Sequence, residues 1–275
     1  MTDPLLIVAA LNGTRSRAEC PKVPLTADEL AGEARRCVDA GAAIVHVHAR
    51  KPDGSPAFDL SYDDIVTAIR AAVDVPISIT TQRTRQTSLG TITALFDVLR
   101  DLPELATVNV RPIAPDLPAH REEARQILEA CDRAGVRPEP TVISLDALAD
   151  IDVLYNDSLL GRAPYLLLEL GPTDGSGSER IAGTPQNVLR IADAAQAQFS
   201  RFPWIAFGQD EASPVVCAVA AAAGGHVRVG FEDTATLPDG SQASSNAQLV
   251  ELAAGVAESL GRPVMDPSEA RDLLR

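Results

Sequence analysis

The sequence has 275 residues, of which 45% are hydrophobic and 23% are charged. This composition supplies apolar material for one large core and excludes disordered, collagen-like and coiled-coil chains. The formal net charge of −14 at pH 7 disfavours binding to nucleic acid or to an anionic membrane surface.

The expected location is the cytoplasm. No apolar run approaches the roughly 20 residues of a membrane-spanning helix. The N-terminal segment MTDPLLIVAA does not resemble a secretion signal. The four cysteines are widely spaced and form no CxxC pair, which is typical of a reducing compartment; they are Cys20, Cys37, Cys131 and Cys217.

Short apolar or β-branched runs alternate with helical segments along the whole chain. The predicted strands cover residues 5–11, 43–50, 76–81, 106–110, 139–143, 165–170, 204–208 and 226–231. The predicted helices cover residues 26–40, 61–73, 89–102, 119–135, 145–155, 184–199, 213–223 and 243–260, with a last helix from Pro267. In the first helix, Thr26 and Glu29 have the spacing of a capping box, and Gly41 follows its end.

Eight strand-helix units predict an α/β fold, a (β/α)₈ barrel that forms a single domain over residues 1–275. A doubly wound open sheet is the alternative. Its dinucleotide-binding form would carry GxGxxG after the first strand, where this chain reads LNGTR over residues 11–15.

Two histidines share one face of the second predicted strand. Successive side chains alternate across a strand, so Val45 and Val47 form one apolar face and His46 and His48 lie on the other. A single histidine at such a position is more often a hydrogen-bonded core residue. Two neighbouring buried imidazoles favour a metal site, because neutral imidazole is a preferred zinc ligand.

The eighth strand supplies a carboxylate for the same site. His226, Arg228 and Glu232 alternate with apolar residues, and the eighth strand of a closed barrel neighbours the first. Glu232 therefore approaches His46 and His48 at the carboxyl-terminal rim, where active sites of this fold lie. Three protein ligands with an open position are typical of catalytic zinc.

The remaining polar positions suit an anionic ligand. Arg228 is a buried cation that needs a carboxylate partner, for which Asp233 and Glu139 are the candidates, and a purely structural salt bridge is equally compatible with the sequence. Arginine and hydroxyl donors cluster at the predicted rim, which favours a carboxylated substrate. The predicted substrate-binding residues are Arg15, Thr80, Thr81, Arg83, Thr107 and Asn109.

Three strings carry a resemblance to a known family: AAIVHVHAR at residues 42–50, GGHVRVGFED at 224–233 and SNAQLV at 245–250. Together they resemble the β-keto acid cleavage enzymes, whose founding activity is 3-keto-5-aminohexanoate cleavage. The similarity extends over nearly the whole chain.

The resemblance implies a zinc-dependent barrel that condenses a β-keto acid with acetyl-CoA to give acetoacetate and a new acyl-CoA. It implies a homo-oligomer, a dimer or tetramer, with no cofactor besides the metal. The positions His46, His48 and Glu232 match the family's zinc ligands. Arg228 matches the catalytic arginine and Asp233 its acidic partner, while Thr80 and Asn109 fall where the family holds substrate. We favour an electrostatic role for Arg228, and Arg228→Lys should retain much of the rate if charge alone matters.

Three departures from the family bear on the substrate. Gly13-Thr14-Arg15 replaces a segment whose glutamate faces the substrate ammonium, and TTQR at residues 80–83 replaces a smaller segment. Thr141 replaces a second glutamate, which leaves Glu139 as the nearest acid and a third candidate catalytic residue. These changes predict an acidic or neutral polar β-keto acid, including a dicarboxylic one, in place of an amino-bearing substrate.

Three other functions are compatible with parts of the pattern. Amidohydrolase-type enzymes need further histidines, and this chain has only His120 and His226 left. A metal-dependent aldolase would use the same Lewis-acid site without CoA. A barrel without catalysis would keep His46 and His48 as core residues.

Overall fold

The alternating strands and helices form a closed barrel. A computed structural model of the chain describes residues 3–51, 53–82, 87–112, 121–160, 163, 165–172, 180–200 and 202–274. Within these residues, eight parallel strands each pair with the next, and the last pairs with the first. The strands are β1 (Ile7–Ala10), β2 (Ile44–Val47), β3 (Ile77–Thr80), β4 (Leu105–Asn109), β5 (Arg137–Val142), β6 (Leu166–Leu170), β7 (Trp204–Gly208) and β8 (His226–Val229). The predicted (β/α)₈ barrel is confirmed.

Helices surround this barrel. They are α1 (Ala27–Asp39), α2 (Ser61–Ala72), α3 (Leu89–Thr93), α4 (Leu95–Val98), α5 (Arg121–Ala134), α6 (Leu145–Asn156), α7 (Pro185–Gln198), α8 (Ser213–Ala222), α9 (Asn246–Ser259) and α10 (Pro267–Leu273). The capping box predicted at Thr26 and Glu29 is present at the start of α1, and Gly41 follows its end with φ of +113°. Among the described residues, none of the helices combines the length and the apolar character that crossing a bilayer requires.

The two faces of the strands belong to separate apolar clusters. Val45 and Val47 of β2 pack in the layer between strands and helices. Ile44 packs inside the barrel with residues such as Val8 and Leu105. Ala270 of α10 joins this inner cluster beside Leu6 and Ala43, which precede β1 and β2, so α10 closes the amino-terminal end of the barrel. The opposite end holds the polar side chains.

The helix predicted at residues 89–102 is instead two short helices, α3 and α4, with a turn at Ala94. Glycine and β-branched residues give α3 a low helix propensity. The buried carboxylate of Asp63 on α2 then accepts the backbone N–H groups of Arg100 and Asp101. Because these N–H groups bond outside the helix, the second helix ends at Val98.

Gly230 lies just beyond β8, on the segment that leads to Glu232. Its φ of +150° is rarely adopted by other residues, and a Cβ there would overlap the backbone of Ala10. We expect Gly230→Ala to lower the free energy of unfolding by roughly 2 to 4 kcal/mol through strain and overpacking. Gly255→Ala on the exposed face of α9 is the matched control, because nothing lies near its added Cβ and it should stabilise by less than about 1 kcal/mol. Denaturant unfolding of both variants checks this, and equal effects would contradict it.

Candidate metal and active site

The two histidines and the glutamate predicted to bind metal converge at the carboxyl-terminal end of the barrel. The Nε2 atoms of His46 and His48 are 3.2 Å apart, and each lies 3.4 Å from Oε2 of Glu232. Both histidines are buried, and Oε2 of Glu232 is buried without a hydrogen-bond partner. Among the described residues, these three form the one group of histidine, cysteine and acidic side chains close enough to share an ion.

These distances fit a tetrahedral ion. Zinc bonds of about 2.0 to 2.1 Å at tetrahedral angles separate ligand atoms by roughly 3.3 Å. The observed triangle has edges of 3.2, 3.4 and 3.4 Å. The orphaned Oε2 atom points to the same conclusion, because a buried carboxylate oxygen without a partner is costly.

The charge states of these groups also suit a metal. Burial lowers the pKa of His46 well below its ordinary value, since desolvation outweighs the attraction of Glu232. Burial acts in the opposite direction on Glu232, but the attraction of its neighbours, that of Arg228 above all, outweighs it and holds the pKa of this carboxylate well below its usual range. Neutral imidazole and ionised carboxylate are the forms that bind zinc.

The backbone around the three side chains is fixed by two buried asparagines. Asn12 clamps His48: its Nδ2 donates to the His48 carbonyl and its Oδ1 accepts the His48 N–H, both at 2.9 Å. Asn246, at the start of α9, accepts the N–H of Phe231 at 2.6 Å and donates to the carbonyl of Leu11 at 3.1 Å. These bonds tie the ends of β1 and β8 together immediately before Glu232.

Arg228 lies beside the three candidate ligands. Its Nη2 contacts Oε1 of Glu232 at 2.5 Å and Oδ1 of Asp233 at 2.7 Å, and its Nε donates to Oδ2 of Asp233 at 3.1 Å. The guanidinium also lies 3.9 Å from the ring centroid of Phe207. Burial opposes its charge, but the carboxylates of Asp233 and Glu232 raise the pKa of Arg228 above its ordinary value. Arg228 is therefore a fixed cation.

A cavity opens above this group. Thr80, Thr107 and Asn109, three of the predicted substrate-binding residues, line it together with His46, Arg228 and Glu232. The other lining residues were not predicted to bind substrate: they are Gln82, Thr141, Leu167, Glu169 and Phe207. Glu169 forms an ion pair of 2.5 Å with Arg180. The sequence does carry a signal for Glu169 as a candidate site residue, because it is the one charged residue in the otherwise leucine-only strand β6.

The structure gives the remaining predicted residues other contacts. Arg15 pairs with Asp210 at 2.5 Å and donates to the carbonyl of Asp233. Thr81 donates its hydroxyl to the carbonyl of Thr107. Glu139 was expected as a partner of Arg228 and as the nearest acid, but its carboxylate accepts hydrogen bonds from Ser78 and Tyr165, and Glu169 lines the cavity in its place.

The remaining positions are Arg83 and the two other histidines. Arg83 and His120 lie outside the described residues. His226 lies at the start of β8, where its Nδ1 accepts the N–H of Leu6 at 3.1 Å, so it does not join the candidate metal ligands.

Comparison with known proteins supports one family. The sequence matches the beta-keto acid cleavage enzyme family over residues 4–275. It is 29% identical to the 3-keto-5-aminohexanoate cleavage enzyme of Acetoanaerobium sticklandii, covering 99% of this chain and 98% of that protein. It is 25% identical to the 3-oxoadipate:acetyl-CoA acetyltransferase of Cupriavidus necator, covering 100% and 95% respectively.

The fold is also found in solved structures. The ternary complex of ObcA with a C4-CoA adduct and oxalate superposes with a TM-score of 0.78 at 18% identity, covering 92% of this chain and 67% of ObcA. At this identity the likeness concerns the barrel alone. The sequence match over residues 4–275 is what decides the family, and the chain belongs to the β-keto acid cleavage enzymes.

Proposed function

We propose that this enzyme condenses a β-keto acid with acetyl-CoA, using a zinc ion held by His46, His48 and Glu232. The products are acetoacetate and the CoA ester of the remaining acyl group. One observation carries this proposal: three donor atoms with tetrahedral spacing, one of them an unpartnered carboxylate oxygen, lie next to a buried arginine at the mouth of the barrel. The relatives named as acetyl-CoA transferases support the choice of co-substrate.

When bound, a zinc ion supplies a Lewis acid that polarises the β-keto oxygen. The protein supplies the orientation. Thr80, Thr107 and Asn109 offer hydroxyl and amide groups to the substrate carboxylate and keto oxygen. Loss of the methylene proton gives an enolate, whose carbon attacks the carbonyl of acetyl-CoA and expels the CoA thiolate. The thiolate then attacks the β-keto carbon, and cleavage of the bond between this carbon and the former methylene carbon gives the acyl-CoA and the enolate of acetoacetate, which regains the proton. Arg228, held by Asp233, stabilises the negative charge that develops on substrate oxygen in these steps. An arginine with a raised pKa is a poor base, which favours this electrostatic role.

The charges around the cavity favour a substrate with a single carboxylate and an uncharged polar remainder. Glu169 is the one described acid in the lining besides Glu232, and Arg180 offsets it. With Glu232 assigned to the metal, an ammonium group would find no free carboxylate among the described lining residues. A second substrate carboxylate would need another cation, and Arg15, which pairs with Asp210, does not provide it.

The test is an acetyl-CoA-dependent assay with β-keto acids whose remainders are neutral, anionic or cationic. We expect acetoacetate and an acyl-CoA to form in equal amounts, with the neutral polar acids turned over best. Cleavage without CoA would instead establish an aldolase, and a protein that forms neither product would be a barrel without catalysis. Fastest turnover of the amino-bearing acid would contradict the substrate inference alone.

We also propose a cytoplasmic homo-oligomer. All four cysteines are buried and free, which suits a reducing compartment. Sedimentation analysis should show a dimer or a tetramer, and a monomer at working concentration would contradict the oligomer.

A further inference from the structure

A chain of buried polar groups runs from His46 away from the cavity and across the barrel interior. The Nδ1 atom of His46 lies 2.8 Å from the hydroxyl oxygen of Ser78 on β3. Ser78 donates to one carboxylate oxygen of Glu139 on β5, and the hydroxyl of Tyr165 donates to the other. Ser78, Glu139 and Tyr165 are at most 2% exposed, so water does not compete for these bonds.

The donors and acceptors in this series of hydrogen bonds determine which atom carries each proton. Burial raises the pKa of Glu139, whereas the hydrogen bonds donated by Ser78 and Tyr165 favour its ionised form. As an ionised carboxylate it only accepts hydrogen bonds, so the single proton of the Ser78 hydroxyl points at Glu139. The oxygen of Ser78 must then accept a hydrogen bond from the Nδ1–H group of His46. With Nδ1 protonated, Nε2 of the neutral ring has a free lone pair, and Nε2 is the atom that faces His48 and Glu232.

We propose that Glu139 is a positioning residue that sets the tautomer of His46 through Ser78 and so prepares Nε2 to bind the metal. This inference rests on the proposed function in one respect, that His46 is a metal ligand. It replaces the direct catalytic role expected for Glu139, whose carboxylate is committed to Ser78 and Tyr165. Groups that hold the second nitrogen of a ligating histidine commonly change metal affinity about 10- to 100-fold.

Removing Glu139, which accepts the hydrogen bond from Ser78, should change the tautomer of His46. In Glu139→Leu, the hydroxyl proton of Ser78 has Nδ1 of His46 as its remaining acceptor. The ring would then carry its proton on Nε2, where it blocks the metal. Removing Ser78 as well abolishes this conflict. The double variant Glu139→Leu/Ser78→Ala should therefore bind metal more tightly than Glu139→Leu alone.

The experiment measures zinc affinity by chelator competition in wild type, Glu139→Leu, Ser78→Ala and the double variant. We expect a loss of about 10- to 100-fold in Glu139→Leu, a smaller loss in Ser78→Ala, and recovery of the double variant to the Ser78→Ala level. Tyr165→Phe is the matched control, because it disturbs the same buried cluster but leaves the bond from Ser78 to Glu139. Its affinity should stay within about threefold of wild type. Additive losses in the double variant would overturn the proposal.

A second measurement needs no metal to bind and no folded variant at Ser78 or Glu139. Nitrogen-15 NMR of the metal-free wild-type protein at pH 8 reports which ring nitrogen of His46 carries the proton, with His46→Gln used for assignment. We expect the proton on Nδ1, and a proton on Nε2 would overturn the proposal. Neither measurement uses turnover. Failure of the CoA assay would therefore reject the proposed function, whereas failure here would reject the role of Glu139.

Discussion

Replacing His46 with alanine is expected to abolish stoichiometric zinc binding and to lower kcat/KM by at least about 10³-fold. The variant removes one of three donor atoms from a site in which Glu232 Oε2 has no hydrogen-bond partner. A Lewis acid stabilises transition-state charge by several kcal/mol, and about 4 kcal/mol corresponds to a factor of 10³. Metal analysis of the purified protein and the acetyl-CoA assay measure both effects.

His226→Ala is the matched control for this variant. His226 is also a buried histidine on the inner face of a strand, but it bonds to the N–H of Leu6 at the other end of the barrel. We expect His226→Ala to lower stability and to retain zinc and turnover. In the wild type, a chelator should remove activity and added zinc should restore it. A His46→Ala protein that kept both zinc and activity would refute the metal site.

The inward direction of His46 and His48 could be predicted because side chains alternate along a strand whatever its neighbours are. This period places Val45 and Val47 in the outer layer and His46 inside, as the structure has it. Closure of eight parallel strands makes β8 the neighbour of β1, which is why Glu232 could be expected near β2. After β8 the chain turns at Gly230, and Asn246 accepts the N–H of the next residue, Phe231. The alternation of side chains along a strand does not predict this turn.

Contacts across the barrel could not be predicted in the same way. Ser78, Glu139 and Tyr165 come from three different strand regions, and their contact depends on strand tilt and register around the barrel. For Arg15 and Thr81 the sequence indicated a polar rim but not the partner, and each side chain bonds to a neighbouring loop or strand. A polar residue near a predicted active site therefore indicates where its side chain lies but does not indicate what that side chain binds.

Arg228→Lys is expected to lower kcat by about 10²-fold or more, because positive charge alone does not reproduce the contacts of the guanidinium. The guanidinium contacts both oxygens of Asp233, one oxygen of Glu232 and the face of Phe207. A lysine ammonium is a point charge on a flexible stem and cannot keep this planar set of contacts. Loss of one preorganised donor to transition-state charge typically costs 10²- to 10³-fold in kcat. Steady-state kinetics with a neutral β-keto acid measure the loss.

Arg262→Lys separates this effect from the general cost of replacing a buried arginine. Arg262 also donates through several nitrogens, but to backbone carbonyls such as those of Ala221 and Gly225, away from the cavity. Both variants should unfold more easily, by up to about 3 to 5 kcal/mol where a buried ion pair is broken. Only Arg228→Lys should lose kcat, because only Arg228 lines the cavity. If Arg228→Lys keeps more than half of the wild-type kcat, positive charge alone is sufficient and the planar contacts with Asp233 serve stability.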